Sequence, residues 1–156
     1  MPLLPKVVLM LALGATCLPA LSAEGKWMQQ GAQGTREFFI DKQGYRLLVI
    51  CPTVSDLSEA RSAVSLVKMS DGSDVGEFTI KVGKTSVPGN IEASNRLGDS
   101  TFLDALRILR NGDALISFGK QSITFGKSNA ADILPSSASK LMCKLDFDTI
   151  FPPKTQ

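Results

Sequence analysis

The stretch Arg36–Pro52, REFFIDKQGYRLLVICP, decides how the chain folds, because it holds two apolar runs around a turn. Residues 36–41 read REFFID, and residues 42–44 (KQG) then supply a turn. The second run, Tyr45–Pro52, is rich in aliphatic and β-branched side chains and ends at a proline, as a buried strand does. Together the two runs predict a β-hairpin.

More strands are predicted on the C-terminal side of this hairpin. Residues 62–69 alternate moderately between polar and apolar side chains and stop at the turn cluster SDGSD, residues 70–74. Residues 77–82 alternate with a period of two, which places Phe78, Ile80 and Val82 on one face of a strand. The other strands expected are an edge strand within 91–97, after a turn at 87–90, and a pair at 114–118 and 122–125 joined by residues 119–121.

The clearest helix is predicted at about residues 100–111, within DSTFLDALRILRNG. Thr101 and Asp104 have the spacing of a capping box, so the helix is expected to begin there, and Asn111-Gly112 is expected to end it. Four apolar residues at i, i+3 and i+4 spacing form a stripe that needs a sheet to cover. They are Phe102, Leu103, Leu106 and Leu109.

A shorter helical stretch is expected near the C-terminus, at residues 129–134, with Ser128 as its N-cap. Pro135 interrupts it, and residues 136–144 are expected to resume as a helix that carries Cys143.

Strands therefore dominate, and the regular strand–helix–strand alternation of a parallel nucleotide-binding sheet is absent. The predicted fold is mainly β (α+β): an antiparallel β-sandwich or half-barrel with one packed helix, at about residues 100–111, and a short C-terminal helical segment. A disulfide between Cys51 and Cys143 is expected to close it.

The first 23 residues have the pattern of a secretory signal peptide: Lys6 precedes the apolar run 7–13, and small residues with a helix breaker follow in GATCLPALSA. This run is too short to remain as a spanning anchor. The prediction is a single exported globular domain at residues 24–156, periplasmic or secreted, with no stable membrane anchor after signal removal. Acylation of Cys17, as in bacterial lipoproteins, stays open as an alternative, although the preceding residues GAT do not match the usual site.

If Cys17 leaves with the signal peptide, Cys51 and Cys143 are the cysteines that remain. Two cysteines in a small domain of an oxidising compartment are expected to form a disulfide. They lie too far apart in sequence for a redox-active C-x-x-C pair, so the predicted bridge is structural.

Composition argues against several classes of function. The chain has no histidine, the commonest general base and a common metal ligand. Its 17 basic and 15 acidic residues nearly balance, which gives no electrostatic footprint for nucleic acid. Two S-x-x-K pairs are the remaining hydrolase arrangement. Ser65 and Lys68 lie on an expected strand, where i and i+3 face opposite sides, and Ser137 and Lys140 lack the accompanying motifs of penicillin-binding proteins.

Two triplets copy the end of a phosphate-binding loop: Gly83-Lys84-Thr85 and Gly126-Lys127-Ser128. A functional loop needs a further glycine five residues earlier, so that the backbone can curl around the phosphates. Those positions hold Phe78 and Gln121. The sequence therefore predicts no nucleotide and no cofactor, with a weak anion site at the second triplet as the alternative.

Metal binding is also disfavoured. The turn at residues 71–76, DGSDVG, resembles the start of a calcium loop, but Val75 stands at a position that needs an oxygen ligand, and Val82 stands where the bidentate glutamate is needed.

The residues left for an interaction surface are the single tryptophan and several polar loop residues. Trp27 is either a docking residue or, more readily, a lid on the core, and Phe151-Pro152-Pro153 in the tail is a second docking candidate. The hairpin tips DGSD and GKQ are loops open to recognition. The candidate residues are Trp27, Asp71, Ser73, Asp74, Lys120 and Lys127.

The C-terminal third has a layout that points to a family. A helix of the form F-x-x-A-L-x-x-L-x-x-G, from Phe102 to Gly112, precedes a strand pair, then ITFGKSNAADIL, then a final cysteine in LMCK. Over roughly residues 45–145 the chain resembles the small exported bacterial domains of the invasion-associated locus B type. The resemblance implies a Gram-negative periplasmic or surface protein, and it brings no catalytic residues.

Three functional hypotheses follow. The first is a non-enzymatic periplasmic or secreted protein that binds another protein at the envelope or the host interface. The second is an inhibitor or immunity protein that blocks a periplasmic or exported enzyme by inserting a loop. The third is a Ser-Lys hydrolase.

Overall fold

The computed structural model describes residues 24–32, 34–52, 61–136, 143 and 145. These residues form nine strands in two antiparallel sheets, together with two helices. The strands are β1 Met28–Ala32, β2 Thr35–Lys42, β3 Tyr45–Pro52, β4 Ala63–Lys68, β5 Thr79–Val82, β6 Thr85–Pro88, β7 Ile91–Glu92, β8 Ala114–Phe118 and β9 Gln121–Phe125, and the helices are α1 Arg96–Asn111 and α2 Ala130–Ile133.

The two sheets confirm the predicted mainly β, antiparallel architecture. The first has the strand order β1-β2-β3-β4-β7, and the second has the order β6-β5-β8-β9. Helix α1 packs against β4 and β7 of the first sheet and against β5 and β6 of the second. Its apolar stripe is buried at Phe102, Leu106 and Leu109, so the helix covers the sheets as its periodicity predicts.

The stretch Arg36–Pro52 forms the predicted hairpin, here β2 and β3. Gln43 and Gly44 make the turn with positive φ angles of 51° and 78°, the combination that a two-residue hairpin turn requires. Pairing runs from Lys42 opposite Tyr45 to Thr35 opposite Pro52. Alternation then sends one set of side chains into the core: Phe38, Ile40, Leu47, Val49 and Cys51 are all buried.

Helix α1 begins earlier than predicted, at Arg96, and Thr101 lies inside it. The N-cap is Asn95, whose extended backbone lets its side-chain oxygen accept hydrogen bonds from the N–H groups of Leu97 and Gly98, at 3.0 and 2.9 Å. The Thr101 hydroxyl instead donates to the carbonyl of Leu97 at 2.8 Å. The predicted capping box is therefore wrong, while the predicted end at Asn111-Gly112 is confirmed.

Three strands differ from the prediction. Residues 28–32 form β1, although their polar side chains show no apolar alternation. Residues 85–88 form β6 as the partner of β5, so Gly83-Lys84 is the turn of a hairpin, and part of the predicted turn at 87–90 is strand. The predicted edge strand within 91–97 is shorter, because α1 takes over at Arg96.

Helix α2 confirms a short helical segment, but Ser128 is not its N-cap. Asn129 holds that position, and its side chain makes no capping bond to α2. The helix predicted at 136–144 lies outside the described residues apart from Ser136 and Cys143.

The predicted bridge between Cys51 and Cys143 is present, with the two sulfur atoms 2.08 Å apart. Both cysteines are buried, and Cys51 lies near the end of β3. The disulfide thus attaches the C-terminal part of the chain to the central hairpin.

Candidate functional site

A groove opens where turns from the two sheets meet. Tyr45 follows the β2–β3 turn, Ser73 and Val75 lie in the loop after β4, and residues 118–121 make the β8–β9 turn. We call this the tip groove; it has a volume of about 380 Å³. Its lining residues are Tyr45, Lys68, Ser73, Val75, Phe118, Gly119, Lys120 and Gln121.

Two aromatic rings from different sheets pack together in the tip groove. The centroids of the Tyr45 and Phe118 rings are 5.0 Å apart, and the rings are tilted by 57°. Both side chains are half-buried, and the Tyr45 hydroxyl donates to the side-chain carbonyl of Gln121 at 3.3 Å. Aromatic rings held in this way supply contact area at a low cost in conformational entropy.

The loop after β4 forms one wall of the tip groove, and its own hydrogen bonds hold it in shape. The Asp71 carboxylate accepts from the hydroxyl and the N–H of Ser73, at 2.6 and 3.0 Å. These bonds, first that from the hydroxyl, hold the pKa of Asp71 below its ordinary value, with a smaller contribution from Lys68. Asp74 accepts in the same manner from the N–H of Gly76 at 2.6 Å. The acidic side chains of DGSD therefore shape the loop.

A second cleft, of about 640 Å³, adjoins the tip groove and shares Phe118 and Gly119 with it. The start of β5 and the turn after β6 form its other walls. Gly89 packs so closely on Phe78 that an added Cβ would lie 2.2 Å from the ring. The two clefts are therefore neighbours, and the second is lined further by Glu77, Phe78, Thr79, Pro88, Gly89, Asn90 and Ser117.

The charges around this surface are mixed. Lys120 is exposed at the tip of the β8–β9 turn and makes no ion pair with a described residue. Lys68 lies 3.9 Å from Asp71, and Glu77 lines the second cleft. The two clefts therefore carry apolar, cationic and anionic groups side by side.

The structure thus brings together Ser73 and Lys120 among the predicted candidates, with Asp71 and Asp74 in the loop that forms the wall. Lys127 lies at the opposite end of the β8–β9 hairpin, where its N–H donates to the Asp113 carboxylate at 2.8 Å. Sequence reasoning missed Tyr45 and Phe118, because each falls in a strand and only the sheet-to-sheet packing pairs them.

Trp27 is not an exposed docking residue: only 3% of its surface is accessible, and it belongs to the core. Its backbone explains this position. The Asn129 side chain accepts from the Trp27 N–H at 2.8 Å and donates to the Trp27 carbonyl at 3.0 Å. The lid interpretation of Trp27 is therefore confirmed, while Phe151-Pro152-Pro153 lies outside the described residues.

We expect Asn129→Ala to lower the free energy of unfolding by about 2 kcal/mol, because two partly buried backbone groups of Trp27 lose their partners. Urea titration followed by the fluorescence of Trp27, the single tryptophan, measures this change. The control is Asn111→Ala, which removes an exposed amide bonded to the Arg107 carbonyl. Equal stability of the two variants would contradict the assignment.

A partly buried ion pair lies away from the clefts, on the outer face of the first sheet. The Arg46 guanidinium donates to both oxygens of Asp41, at 2.7 and 2.8 Å, and lies 4.0 Å above the ring of Phe39. The bond to Asp41 raises the pKa of Arg46 above its ordinary value. Asp41 and Arg46 lie directly opposite each other on β2 and β3, so we assign the pair to the stability of the hairpin.

The sequence also raised two S-x-x-K pairs and a metal site. Ser65 and Lys68 stand three positions apart on β4 and so face opposite sides of the sheet. Ser137 and Lys140 lie outside the described residues. Within residues 24–32, 34–52, 61–136, 143 and 145, no group of three or more His, Cys, Asp or Glu side chains is placed to hold a metal ion.

Neither α1 nor α2, the two helices among the described residues, has the length and apolar content needed to cross a membrane. Comparison of the chain with protein-family models, with curated proteins and with solved structures found no match. The clefts at the hairpin tips are therefore the basis on which a function is assigned.

Proposed function

We propose that this chain is an exported, non-enzymatic protein that binds another protein through the tip groove and the adjoining cleft. The observation that carries the proposal is the convergence of three separate connections between strands on the tip groove, which also holds a half-buried aromatic pair. Loops on a rigid β scaffold are a common location for recognition. The signal-peptide pattern of residues 1–23 and the Cys51–Cys143 bridge support a periplasmic or secreted location.

Lys120 and Lys127 provide a matched test of this surface. Both are exposed lysines that follow a Phe-Gly pair, but Lys120 lines the tip groove, whereas Lys127 lies at the other end of the same hairpin. We expect Lys120→Glu to reduce recovery of the partner by about tenfold, which corresponds to about 1.4 kcal/mol of binding free energy. Lys127→Glu, with the same change of charge, is expected to leave recovery unchanged.

The measurement is quantitative mass spectrometry of proteins retained by the wild-type chain and by each variant from envelope and secreted fractions of the source cell. Equal recovery with Lys120→Glu and wild type would contradict binding at the tip groove. If the retained partner is an enzyme and its activity falls on binding, the function is that of an inhibitor acting through the same surface. Lys120 at the tip of a tight turn is the residue that such an inhibitor would insert first.

A further inference from the structure

Strand β1 is an open edge of the first sheet, because it pairs with β2 on one side only. Met28, Gln29, Gln30 and Gly31 are exposed, and β1 contains neither a charged residue nor a proline. Proteins usually protect sheet edges with such residues, with very short strands or with a covering group. Among the residues that the structure describes, none of these devices lies along β1, although residues 131–136 share a cleft with Gln29.

The other sheet edges are protected in the ways that β1 is not. Strand β7 has two residues, and β6 ends in Pro88. On β9, the carbonyl of Thr124 accepts a hydrogen bond from the Lys42 ammonium at 2.7 Å. The contrast makes β1 the edge of the described fold that is ready to accept another strand.

The bonds of Asn129 to Trp27 show which backbone groups of β1 face outward. Because the Asn129 side chain takes both the N–H and the carbonyl of Trp27, these groups point away from β2. Outward and inward residues alternate along an antiparallel strand, so Gln29 and Gly31 also point away from β2. Beyond the β1–β2 ladder, neither residue makes a hydrogen bond to any described residue.

The side chain at the centre of β1 is complementary to itself. The Gln30 amide donates one hydrogen to the carboxylate of Glu37, directly opposite on β2. A second hydrogen and the amide carbonyl remain, and a primary amide can satisfy both against an identical amide. With no charge on β1, two copies of the strand also meet without electrostatic repulsion.

We propose that a second copy of this chain pairs with β1 in antiparallel fashion, with Gln30 on the two-fold axis. Gln29 then lies opposite Gly31 of the second copy, and their outward backbone groups form mutual hydrogen bonds. The two Gln30 side chains meet in the closely spaced, non-hydrogen-bonded position of the ladder. The two first sheets become one continuous sheet across the axis. This interaction is independent of the proposed tip groove.

Pairing of one short strand buries less surface than a permanent dimer, so we expect a concentration-dependent equilibrium. Sedimentation equilibrium over a dilution series, on protein purified from cells that express the full-length chain, measures it. Non-reducing electrophoresis of the same samples detects any dimer linked through Cys17. The wild-type protein is expected to shift from monomer to dimer as its concentration rises.

Two kinds of variant locate the interface. Gln29→Pro removes an N–H that points away from β2, so we expect an unchanged fold and loss of the dimer. Gln30→Lys and Gln30→Glu each place like charges opposite each other on the axis, so each is expected to remain monomeric. An equimolar mixture of the two is expected to form dimers again, which shows that each variant is folded.

The results separate this interface from its alternatives. A wild-type protein that sediments as a monomer throughout the series would overturn the proposal. This holds even if β1 is found to pair with a strand of another protein. The proposal would also be overturned if Gln29→Pro dimerised as strongly as the wild type, or if the mixture of Gln30→Lys and Gln30→Glu formed no heterodimer. If Gln29→Pro fails to fold, the charge-exchange pair at Gln30 decides the outcome.

Discussion

Replacing Cys51 and Cys143 together by alanine is expected to lower the free energy of unfolding by about 4 to 5 kcal/mol, because the unfolded chain regains the entropy that a closed loop with a sequence separation of 92 had removed. A single domain has a net stability of roughly 5 to 15 kcal/mol, so this loss removes about a quarter of it or more. Urea titrations of the oxidised wild type and of the double variant measure the difference.

Reduction supplies the matched control for the disulfide. A thiol reductant is expected to lower the stability of the wild type to that of the double variant and to leave the double variant unchanged. Cys17→Ala alone is expected to change neither the stability nor its response to the reductant. Mass spectrometry of the non-reduced protein identifies the linked peptides and the first residue, expected near Glu24. Free thiols at both Cys51 and Cys143 in the purified wild type would contradict the bridge.

The second large effect is expected at Gly98, in the first turn of α1. Replacement of glycine by alanine inside a helix normally stabilises it by about 1 kcal/mol. Here the added Cβ would lie 2.3 Å from the carbonyl oxygen of Glu92, which belongs to the backbone of β7 and has little room to move. We therefore expect Gly98→Ala to destabilise the protein by about 3 kcal/mol, the upper part of the usual cost of overpacking.

Ser100→Ala is the control for Gly98→Ala. Ser100 lies two residues further along α1 and is exposed, so its replacement is expected to change stability by less than about 0.5 kcal/mol. Thermal unfolding followed by circular dichroism compares the two variants with the wild type. A Gly98→Ala protein as stable as Ser100→Ala would mean that β7 and α1 are further apart than described.

Local sequence signals predicted those parts of the fold that local physics determines. The hairpin of residues 36–52 and the pair β8 and β9 follow from alternation and turn residues, and the disulfide follows from the number of cysteines in an oxidising compartment. The start of α1 was missed because Thr101 and Asp104 form an equally regular signal inside the helix, whereas Asn95 is a cap without a capping-box partner.

What the sequence could not predict depends on partners distant along the chain. Strand β1 has no apolar alternation, because its residues 28–31 are exposed to solvent. The strand is positioned instead by its pairing with β2 and by the bond of Asn129 to Trp27. The polar tips containing Ser73 and Lys120 were predicted as recognition loops. Their meeting in one groove depends on contacts between the sheets, such as that of Tyr45 with Phe118, which no local pattern encodes.

The Cys51–Cys143 bridge also determines how the molecule responds to mechanical force. A pull on the two ends of the chain passes through β1, β2 and most of β3, crosses the disulfide and leaves after Cys143. Strands β4 to β9 and both helices lie between the bridged cysteines, outside this path. Tension can therefore peel away the first three strands, while the portion with most of the tip groove carries no load until the bridge is reduced.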